Sequence, residues 1–299
     1  MKLSIIIATY NRAESLIRAL NSIAEQGADP SLWEAVVVNN NSTDNTAQDV
    51  EEFIAAHKGL NLRLVAEPKQ GLSNARNGGI AAAKGAILAF VDDDQTLVPT
   101  FVQSYIDFFD TNPCAMVAGG AVIPQYQHSY PQWMPALLEQ MIANPIAERA
   151  SVSTFKRGRI PAGGNMVFRR EIFDQYGLFN PKLGRNGKSL IGGEESDLFA
   201  RLRREGVALY FVPKAAIYHH IPDTKLTVEY IERLSLNVGK SKRMRAEADG
   251  KLCFLILKES LKQVATYLIA AGYLICLKPK KAHFLLKMRR GIMAGVKSK

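Results

Sequence analysis

Cysteine is scarce in this 299-residue sequence, and its three copies fit no disulfide framework. Cys114, Cys253 and Cys276 are odd in number, far apart and free of any CxxC spacing, which favours a reducing compartment. We expect all three to be packing residues. The apolar stretch after Met1 is only a few residues long, so it predicts a first strand rather than a signal peptide, and we expect a cytoplasmic protein.

Acidic residues are almost missing from the end of the chain. Residues 251–299 hold 11 of the 38 Lys and Arg residues but one of the 28 Asp and Glu residues, so this tail accounts for the whole net charge of +10. Residues 1–250 are neutral overall and contain no basic–aromatic motif, which argues against a nucleic-acid binder. Internal repeats and low-complexity segments are absent as well.

The apolar pattern of the first third alternates between strands and helices. Leu3–Ala8 and Glu34–Val38 are continuous apolar runs, and helical spacing fills Asn11–Gln26 between them. The pattern continues with strands at 62–66 and 86–91 around a helix at 73–83. Such buried strands predict a parallel sheet covered by helices on both faces.

After about Gly119 the clean alternation is lost. We predict a strand at Met166–Phe168, a helix at Ser196–Gly206 and a strand at Ala208–Val212. From about Leu226 onward the sequence is helical in pattern throughout.

Polar residues follow three of the predicted strands, where ligands bind in open parallel sheets. They are Thr9–Arg12, Asn39–Asp44 and Asp92–Asp94. Three adjacent carboxylates repel one another unless a cation neutralises them, and Mg²⁺ and Mn²⁺ take oxygen ligands. A solvated acidic loop, or an N-cap for a helix at Thr100–Phe109, remains an alternative for the three aspartates.

Seven blocks occur in a fixed order over roughly residues 1–240: SIIIATYNR, VVVNNNSTDNT, GLSNARNGGI, AFVDDDQ, AGGNMVFRR, GGEESDLFARL and IYHHIP. This order resembles the family 2 inverting glycosyltransferases. The resemblance implies an α/β fold of the GT-A type, Rossmann-like with a mostly parallel sheet, plus a C-terminal helical extension. It divides the chain into a catalytic domain at 1–225, with a nucleotide-binding half at 1–119 and an acceptor half at 120–225, and a basic helical region at 226–299.

The resemblance also implies a metal site that contains the aspartates. Asp92 and Asp94 match the family's DxD motif, with Asp94 as a ligand of Mn²⁺ or Mg²⁺ and with Asp92 and Asp93 near the donor. His219 matches a histidine that completes the metal or diphosphate site, and His220 is the fallback. On residue chemistry alone, a histidine at a strand end is a packed or surface residue more often than a ligand.

Further donor-binding residues follow from the same blocks. Arg76 is expected to reach the phosphate or the base with its planar fork of donors, although a surface ion pair would also explain an arginine there. Thr9 matches the loop that contacts the base, and Gly164 and Asn165 match a loop near the sugar. Asn39 replaces the family's usual aspartate, and because an amide both accepts and donates, uracil and thymine remain open.

The resemblance assigns the catalytic base to Glu195, where the family usually has aspartate. An inverting transfer needs one carboxylate that takes the proton of the acceptor hydroxyl as its oxygen attacks. Glu194 and Asp197 are expected to raise the pKa of Glu195 by like charge. On residue chemistry alone, these acids are an ordinary first turn of a helix.

The basic tail encloses QVATYLIAAGYLICL, which has 15 residues without a charge and is shorter than a membrane-spanning helix. We expect it to lie on an anionic membrane at the inner face of the cell membrane, which makes the protein peripheral. A helical pair that packs on the catalytic domain or on a second subunit remains open.

These observations lead to one leading hypothesis and two alternatives. The first is metal-dependent transfer of a sugar from a UDP- or dTDP-sugar to a hydroxyl of a glycan or lipid-linked acceptor in cell-surface polysaccharide biosynthesis. The second is transfer to a polyprenyl phosphate. The third is a non-catalytic scaffold that binds nucleotide sugars in a membrane assembly.

Overall fold

The computed structural model describes residues 1–187 and 189–298, so Lys299, the last residue of the predicted basic tail, lies outside it. The strands are β1 (Leu3–Thr9), β2 (Trp33–Asn39), β3 (Leu62–Ala66), β4 (Ile87–Asp92), β5 (Gln95–Leu97), β6 (Val117–Gly119), β7 (Val122–Tyr126), β8 (Ser153–Thr154), β9 (Met166–Arg169), β10 (Leu209–Phe211) and β11 (Ile217–Ile221). The helices are α1 (Ala13–Ala24), α2 (Thr46–Ala56), α3 (Leu72–Ala82), α4 (Phe101–Thr111), α5 (Ala136–Ile142), α6 (Glu171–Tyr176), α7 (Glu194–Arg204), α8 (Val228–Ala248), α9 (Leu252–Ile275) and α10 (Pro279–Lys297).

The main sheet has the order β3-β2-β1-β4-β9-β6-β10-β8. The four strands of the first third, β1 to β4, pair in parallel, which confirms the predicted arrangement. β1, β2 and β4 are almost wholly buried, since helices cover both faces and one apolar cluster lies on each side of the sheet.

The second half of the chain departs from simple alternation. β9 runs antiparallel between β4 and β6, so a late strand extends the sheet begun by the first third. A second, three-stranded sheet has the order β5-β11-β7, and its strand β5 directly follows β4 in the chain. In it, β11 pairs antiparallel with β5, and His219 lies opposite Gln95. This register brings a late histidine to the aspartates that follow β4.

The chain separates into two compact units. The first contains Met1–Gln125, Pro145–Lys182 and Glu194–His220, and the second contains Tyr126–Asn144, Leu183–Gly193 and Ile221–Lys299. The hydrophobic pattern did not predict that two segments before residue 221 join the C-terminal helices.

The second unit is helical, as the tail pattern predicts. Residues of α5, α8, α9 and α10 form its apolar core. Helices α8 and α10 pack closely through glycines, since a Cβ added to Gly239 would lie 2.2 Å from the Ile292 carbonyl oxygen. Over the described residues, no helix combines the length and the apolar character that a membrane crossing requires.

The prediction for the cysteines was wrong. Cys114, Cys253 and Cys276 are all free, as expected, but each is exposed instead of packed in the core. Two of them lie in or directly after α9, whose apolar side faces outward.

Candidate active site

The aspartates lie in a tight turn between two strands. β4 ends at Asp92 and β5 begins at Gln95, so Asp93 and Asp94 form the turn itself. Asp93 and Asp94 are both buried, which excludes a solvated acidic loop. The N-cap of α4 is Thr100, so the aspartates do not cap that helix either. Buried carboxylates need partners, and the structure shows which residues supply them.

Two residues from the end of β1 hold Asp93. Thr9 donates its hydroxyl hydrogen to Asp93 Oδ2 at 2.9 Å. Arg12 Nη1 lies 3.3 Å from Asp93 Oδ1 and 3.0 Å from Asp94 Oδ2. Burial nevertheless raises the pKa of Asp93 to about 7, which one shared guanidinium does not offset. Asp93 in turn raises the pKa of Arg12, so this arginine stays charged. The contact of Thr9 with a nucleotide base stays a prediction.

A buried arginine joins the aspartate turn to α7. Arg76, on α3, donates through Nη1 to Glu194 Oε1 at 3.0 Å and to Glu195 Oε1 at 3.2 Å. Its Nη2 donates to Asp92 Oδ1 at 3.2 Å. The side chain is almost inaccessible to solvent, so the surface ion pair considered for it is excluded. Its predicted contact with the donor would require a ligand to reach this buried guanidinium.

Glu194 and Glu195 start α7 but differ in protonation. Burial, followed by the charge of Glu195, raises the pKa of Glu194 to about 8. Burial would also raise the pKa of Glu195, but Arg76 reverses this and holds it below its usual value. The expectation that neighbouring acids raise the pKa of Glu195 was therefore wrong, because Arg76 is the stronger influence. Asp197 pairs with Arg201 instead. At neutral pH, Glu195 is ionised and Glu194 carries the proton.

The Gly163-Gly164-Asn165 loop closes around these groups. A Cβ added to Gly163 would lie 2.1 Å from Glu195 Oε1, and one added to Gly164 would lie 2.1 Å from Gln95 Nε2. The glycines are needed because side chains of the site approach their backbone. Asn165 is fully buried, and its amide donates to the carbonyl oxygens of Ala121 and Ala215. The side chain of Asn165 braces the loop, and donor binding by Gly164 and Asn165 stays a prediction.

The imidazole of His219 lies beside the aspartate turn. Its Nε2 lies 3.7 Å from Asp94 Oδ1, whereas Nε2 of His220 lies 3.0 Å from the Thr96 hydroxyl. Burial lowers the pKa of His220, so it remains neutral. The imidazole of His219 lies beside the Asp94 carboxylate, and its role as a metal ligand stays a prediction.

Asp94 and His219 fit a cation site that the protein completes only in part. Carboxylate oxygen and imidazole nitrogen are both ligands of Mn²⁺, and magnesium-type sites often take one or two protein ligands plus substrate phosphates. Over residues 1–187 and 189–298, no group of three or more His, Cys, Asp or Glu side chains is arranged as a metal site. The donor set therefore suits a metal that arrives with a diphosphate.

Asn39 ends β2, next to the end of β1. Its Oδ1 accepts the backbone N–H of Ser42 at 2.9 Å, which shapes the loop after the strand. Recognition of a base by Asn39 would use its amide hydrogens or the second lone pair of that oxygen. The choice between uracil and thymine stays a prediction.

Two residues of the site, Arg12 and Gln95, had no assigned role in the sequence, and Glu194 was expected only to raise the pKa of Glu195. Arg12 neutralises the turn, Gln95 accepts from the Asp92 backbone N–H at 3.2 Å, and Glu194 holds a proton beside Glu195. Oε2 of Glu194 is one of two buried side-chain atoms without a hydrogen-bond partner among the described residues. The position of Arg12 after β1 was a usable signal, but nothing in the sequence indicates the partners of Arg76.

Comparisons with known proteins identify the family of this chain. Residues 4–177, more than half of the chain, match the family model described as Glycosyl transferase family 2. The chain is 24% identical over 251 residues to a glucosyl-dolichyl phosphate glucuronosyltransferase of Haloferax volcanii, covering 82% of this chain and 77% of the relative. It is also 24% identical over 244 residues to the succinoglycan biosynthesis protein ExoM of Rhizobium meliloti, covering 81% and 74% respectively.

The fold has solved counterparts. The mannosyltransferase PcManGT from Pyrobaculum calidifontis, solved in complex with GDP-Man and Mn²⁺, superposes with a TM-score of 0.63 at 19% identity, over 97% of this chain and 86% of that one. This similarity shows the GT-A fold predicted from the sequence blocks. Together with the matched family model, it establishes that this chain belongs to glycosyltransferase family 2 and is a glycosyltransferase.

Proposed function

We propose that the protein is a metal-dependent inverting transferase that moves a sugar from a nucleoside diphosphate to an acceptor hydroxyl. One observation carries the proposal: an ionised carboxylate, Glu195, is joined through Arg76 to Asp92, at the start of the aspartate turn. In this arrangement, Arg76 connects the proposed base, Glu195, with the aspartates that we expect to face the sugar donor. Inversion needs the base and the leaving diphosphate on opposite sides of the anomeric carbon, so both must lie within reach of one bound donor.

Glu195 acts as the general base. Arg76 keeps it ionised at neutral pH, and Gly163 lets its carboxylate approach the loop. It takes the proton of the acceptor hydroxyl as that oxygen attacks the anomeric carbon. Glu194 stays protonated beside it and so avoids a second buried negative charge.

Asp94 and His219 would hold the cation, Mn²⁺ or Mg²⁺, and Asp92 and Asp93 would face the donor. Bound there, the metal supplies positive charge to the leaving diphosphate. Arg12 already neutralises part of the turn, so it stabilises the buried aspartates when no donor is present.

The donor we propose is a UDP- or dTDP-sugar, since Asn39 offers both a donor and an acceptor to a pyrimidine. The acceptor we propose is a glycan or lipid-linked oligosaccharide of a cell-surface polysaccharide. Two relatives support this class, one named for succinoglycan biosynthesis and one for a glucosyl-dolichyl phosphate. We place the enzyme at the cytoplasmic face of the membrane, where its basic tail would meet anionic lipid.

A donor screen tests the proposal. UDP-, dTDP-, GDP- and CDP-sugars are incubated with Mn²⁺, Mg²⁺ or EDTA, and release of nucleoside diphosphate is compared between wild type and Asp94→Ala. We expect release from one pyrimidine class, with metal only, and its loss in the variant. Equal release in EDTA would contradict the metal, and release from GDP-sugars alone would contradict the role of Asn39.

Transfer to a polyprenyl phosphate is the second candidate, since the name of one relative contains dolichyl phosphate as a lipid carrier, although that carrier already bears a glucosyl group. A phosphate acceptor is already anionic, so it needs no base. For a hydroxyl acceptor, Glu195→Gln should lower turnover by about 10²–10⁴-fold while donor affinity stays within about threefold. Unchanged turnover in this variant would favour the phosphate acceptor.

A further inference from the structure

Helix α9 presents its apolar residues to the outside. Of the 17 large hydrophobic residues that are exposed in the described chain, ten lie between Phe254 and Leu277. Six of them recur every three, four or seven positions, which places them along one side of the helix. They are Phe254, Leu257, Leu261, Val264, Leu268 and Ile275.

The opposite, inward side of α9 buries two polar residues, Glu259 and Thr266, together with Ala270. Glu259 is 1% exposed, and its carboxylate contacts Lys242 of α8 at 3.1 Å, Lys262 at 2.9 Å and Arg289 of α10 at 2.7 Å. Thr266 is buried about two turns further along and accepts from Arg289 Nε. A helix at a water surface normally buries its apolar side and exposes its polar one. Helix α9 departs from this rule, because its large apolar residues are exposed while Glu259 and Thr266 are buried.

This orientation of α9 is built into the packing of the unit. The ion pairs of Glu259 fix the rotation of α9 about its own axis, because turning the helix would bury the lysines and strand Arg289 without a partner. The packing of the unit therefore holds the apolar side of α9 toward the outside. A continuous apolar surface of this kind marks an interaction site.

The charges around this side select the partner. Glu259 is the only acidic residue of 251–298, and it is buried, so this stretch exposes no carboxylate side chain. Lys251 and Lys258 lie at one end of the apolar side, and Lys278 and Lys280 lie beyond the other, all exposed. A second copy of the chain would bring the same cations together, whereas an anionic surface would neutralise them.

We propose that the outward side of α9 lies in the plane of an anionic lipid surface, with its apolar residues among the acyl chains and the lysines at the headgroups. At 24 residues the helix is about 36 Å long, enough for such a contact along its whole length. The inference deepens the location at the membrane given above and does not depend on the reaction.

The test uses the full chain and two variants. Leu261→Glu/Leu268→Glu places charges at positions that are 64% and 72% exposed, so folding should be unaffected. Leu137→Glu, on α5, changes another exposed leucine and serves as the matched control. Flotation is measured with vesicles of phosphatidylcholine alone and with vesicles that also contain about 30 mol% phosphatidylglycerol, an anionic lipid that gives the surface a negative potential.

We expect wild type and the control to bind the anionic vesicles at least tenfold more tightly than the double variant. Binding should weaken in neutral vesicles and in high salt. Equal binding by the double variant, or no preference for anionic vesicles, would overturn the proposal. So would a wild-type dimer that the double variant converts to a monomer while vesicle binding is absent, since a second copy would then cover the helix.

Donor turnover is measured on the same proteins without vesicles. The double variant should keep wild-type release of nucleoside diphosphate, because α9 belongs to the second unit and the catalytic residues belong to the first. Loss of turnover in every protein with normal flotation would contradict the proposed reaction alone. Normal turnover without flotation would contradict the lipid surface alone.

Discussion

Two buried charge clusters of this protein differ in their balance. Around the aspartate turn, five carboxylates share two guanidinium groups; the carboxylates are Asp92, Asp93, Asp94, Glu194 and Glu195, and the cations are Arg12 and Arg76. In the helical unit, the single carboxylate of Glu259 meets three cations. One cluster lacks positive charge and the other has an excess.

The pKa values follow that difference. Burial raises the pKa of Asp93 to about 7 and that of Glu194 to about 8, because too few cations offset it. Burial would raise the pKa of Glu259 as well, but Lys262 and Lys242 lower it. In the cluster around Glu259 the cations offset the buried carboxylate, which suits a structural role. In the cluster around the aspartate turn the carboxylates outnumber the cations, which suits a ligand that brings positive charge.

Removing Arg76 from the cluster around the aspartate turn, which lacks positive charge, should have the largest effect on stability. Arg76→Met leaves three carboxylates with one partner fewer, so we expect the free energy of unfolding to fall by about 3–5 kcal/mol. Chemical denaturation followed by circular dichroism measures it. The control is Arg18→Met, an exposed partner of Glu14, with a loss under about 0.5 kcal/mol. Equal losses would remove the distinction between buried and surface pairs.

Removing one cation from the cluster around Glu259 should cost less. In Arg289→Met, Lys242 and Lys262 still contact Glu259, so we expect a loss of about 1–2 kcal/mol. Hydrogen exchange followed by mass spectrometry should show faster exchange in α9 and α10 and no change in α3 or α7. A loss as large as that of Arg76→Met would contradict the view that this cluster has cations to spare.

The raised pKa of Glu194 predicts a pH dependence of stability. Between its unfolded pKa, near 4.5, and about 8, the folded protein holds a proton that the unfolded chain has lost. Stability should therefore fall as pH rises through this range and level off above it. From pH 6 to pH 7, wild type should lose about 1 kcal/mol relative to Glu194→Gln. If the free energies of unfolding of wild type and Glu194→Gln, plotted against pH, gave parallel curves, Glu194 would be ionised in the folded protein.

The sequence predicted the frame of the site because its signals are local. Apolar runs at Leu3–Ala8 and Glu34–Val38 define buried strands, and the ends of parallel strands meet at one edge, so Thr9, Asn39 and Asp92 had to be neighbours. The aspartate turn follows directly from the end of one strand, β4. These predictions required no knowledge of side chains from distant segments.

Pairings across the chain could not be predicted in the same way. Arg76 meets glutamates 118 and 119 residues later, and that contact reverses the expected pKa of Glu195. Likewise, α9 has the composition of a core helix, and only the pairing of Glu259 with Lys242 and Arg289 shows that its apolar side faces outward. Sequence periodicity locates an apolar side but not what covers it.

The proposed function requires a divalent cation that binds at the aspartate turn together with the donor. Calorimetric titration of the nucleoside diphosphate found in the donor screen, with Mn²⁺ and then with EDTA, tests it on wild type and Asp94→Asn. We predict at least tenfold tighter binding by wild type with Mn²⁺ than with EDTA, and no such difference in the variant. Equal affinity of wild type for the nucleoside diphosphate in Mn²⁺ and in EDTA would contradict this requirement, because the carboxylates of the aspartate turn would then bind no divalent cation together with the diphosphate.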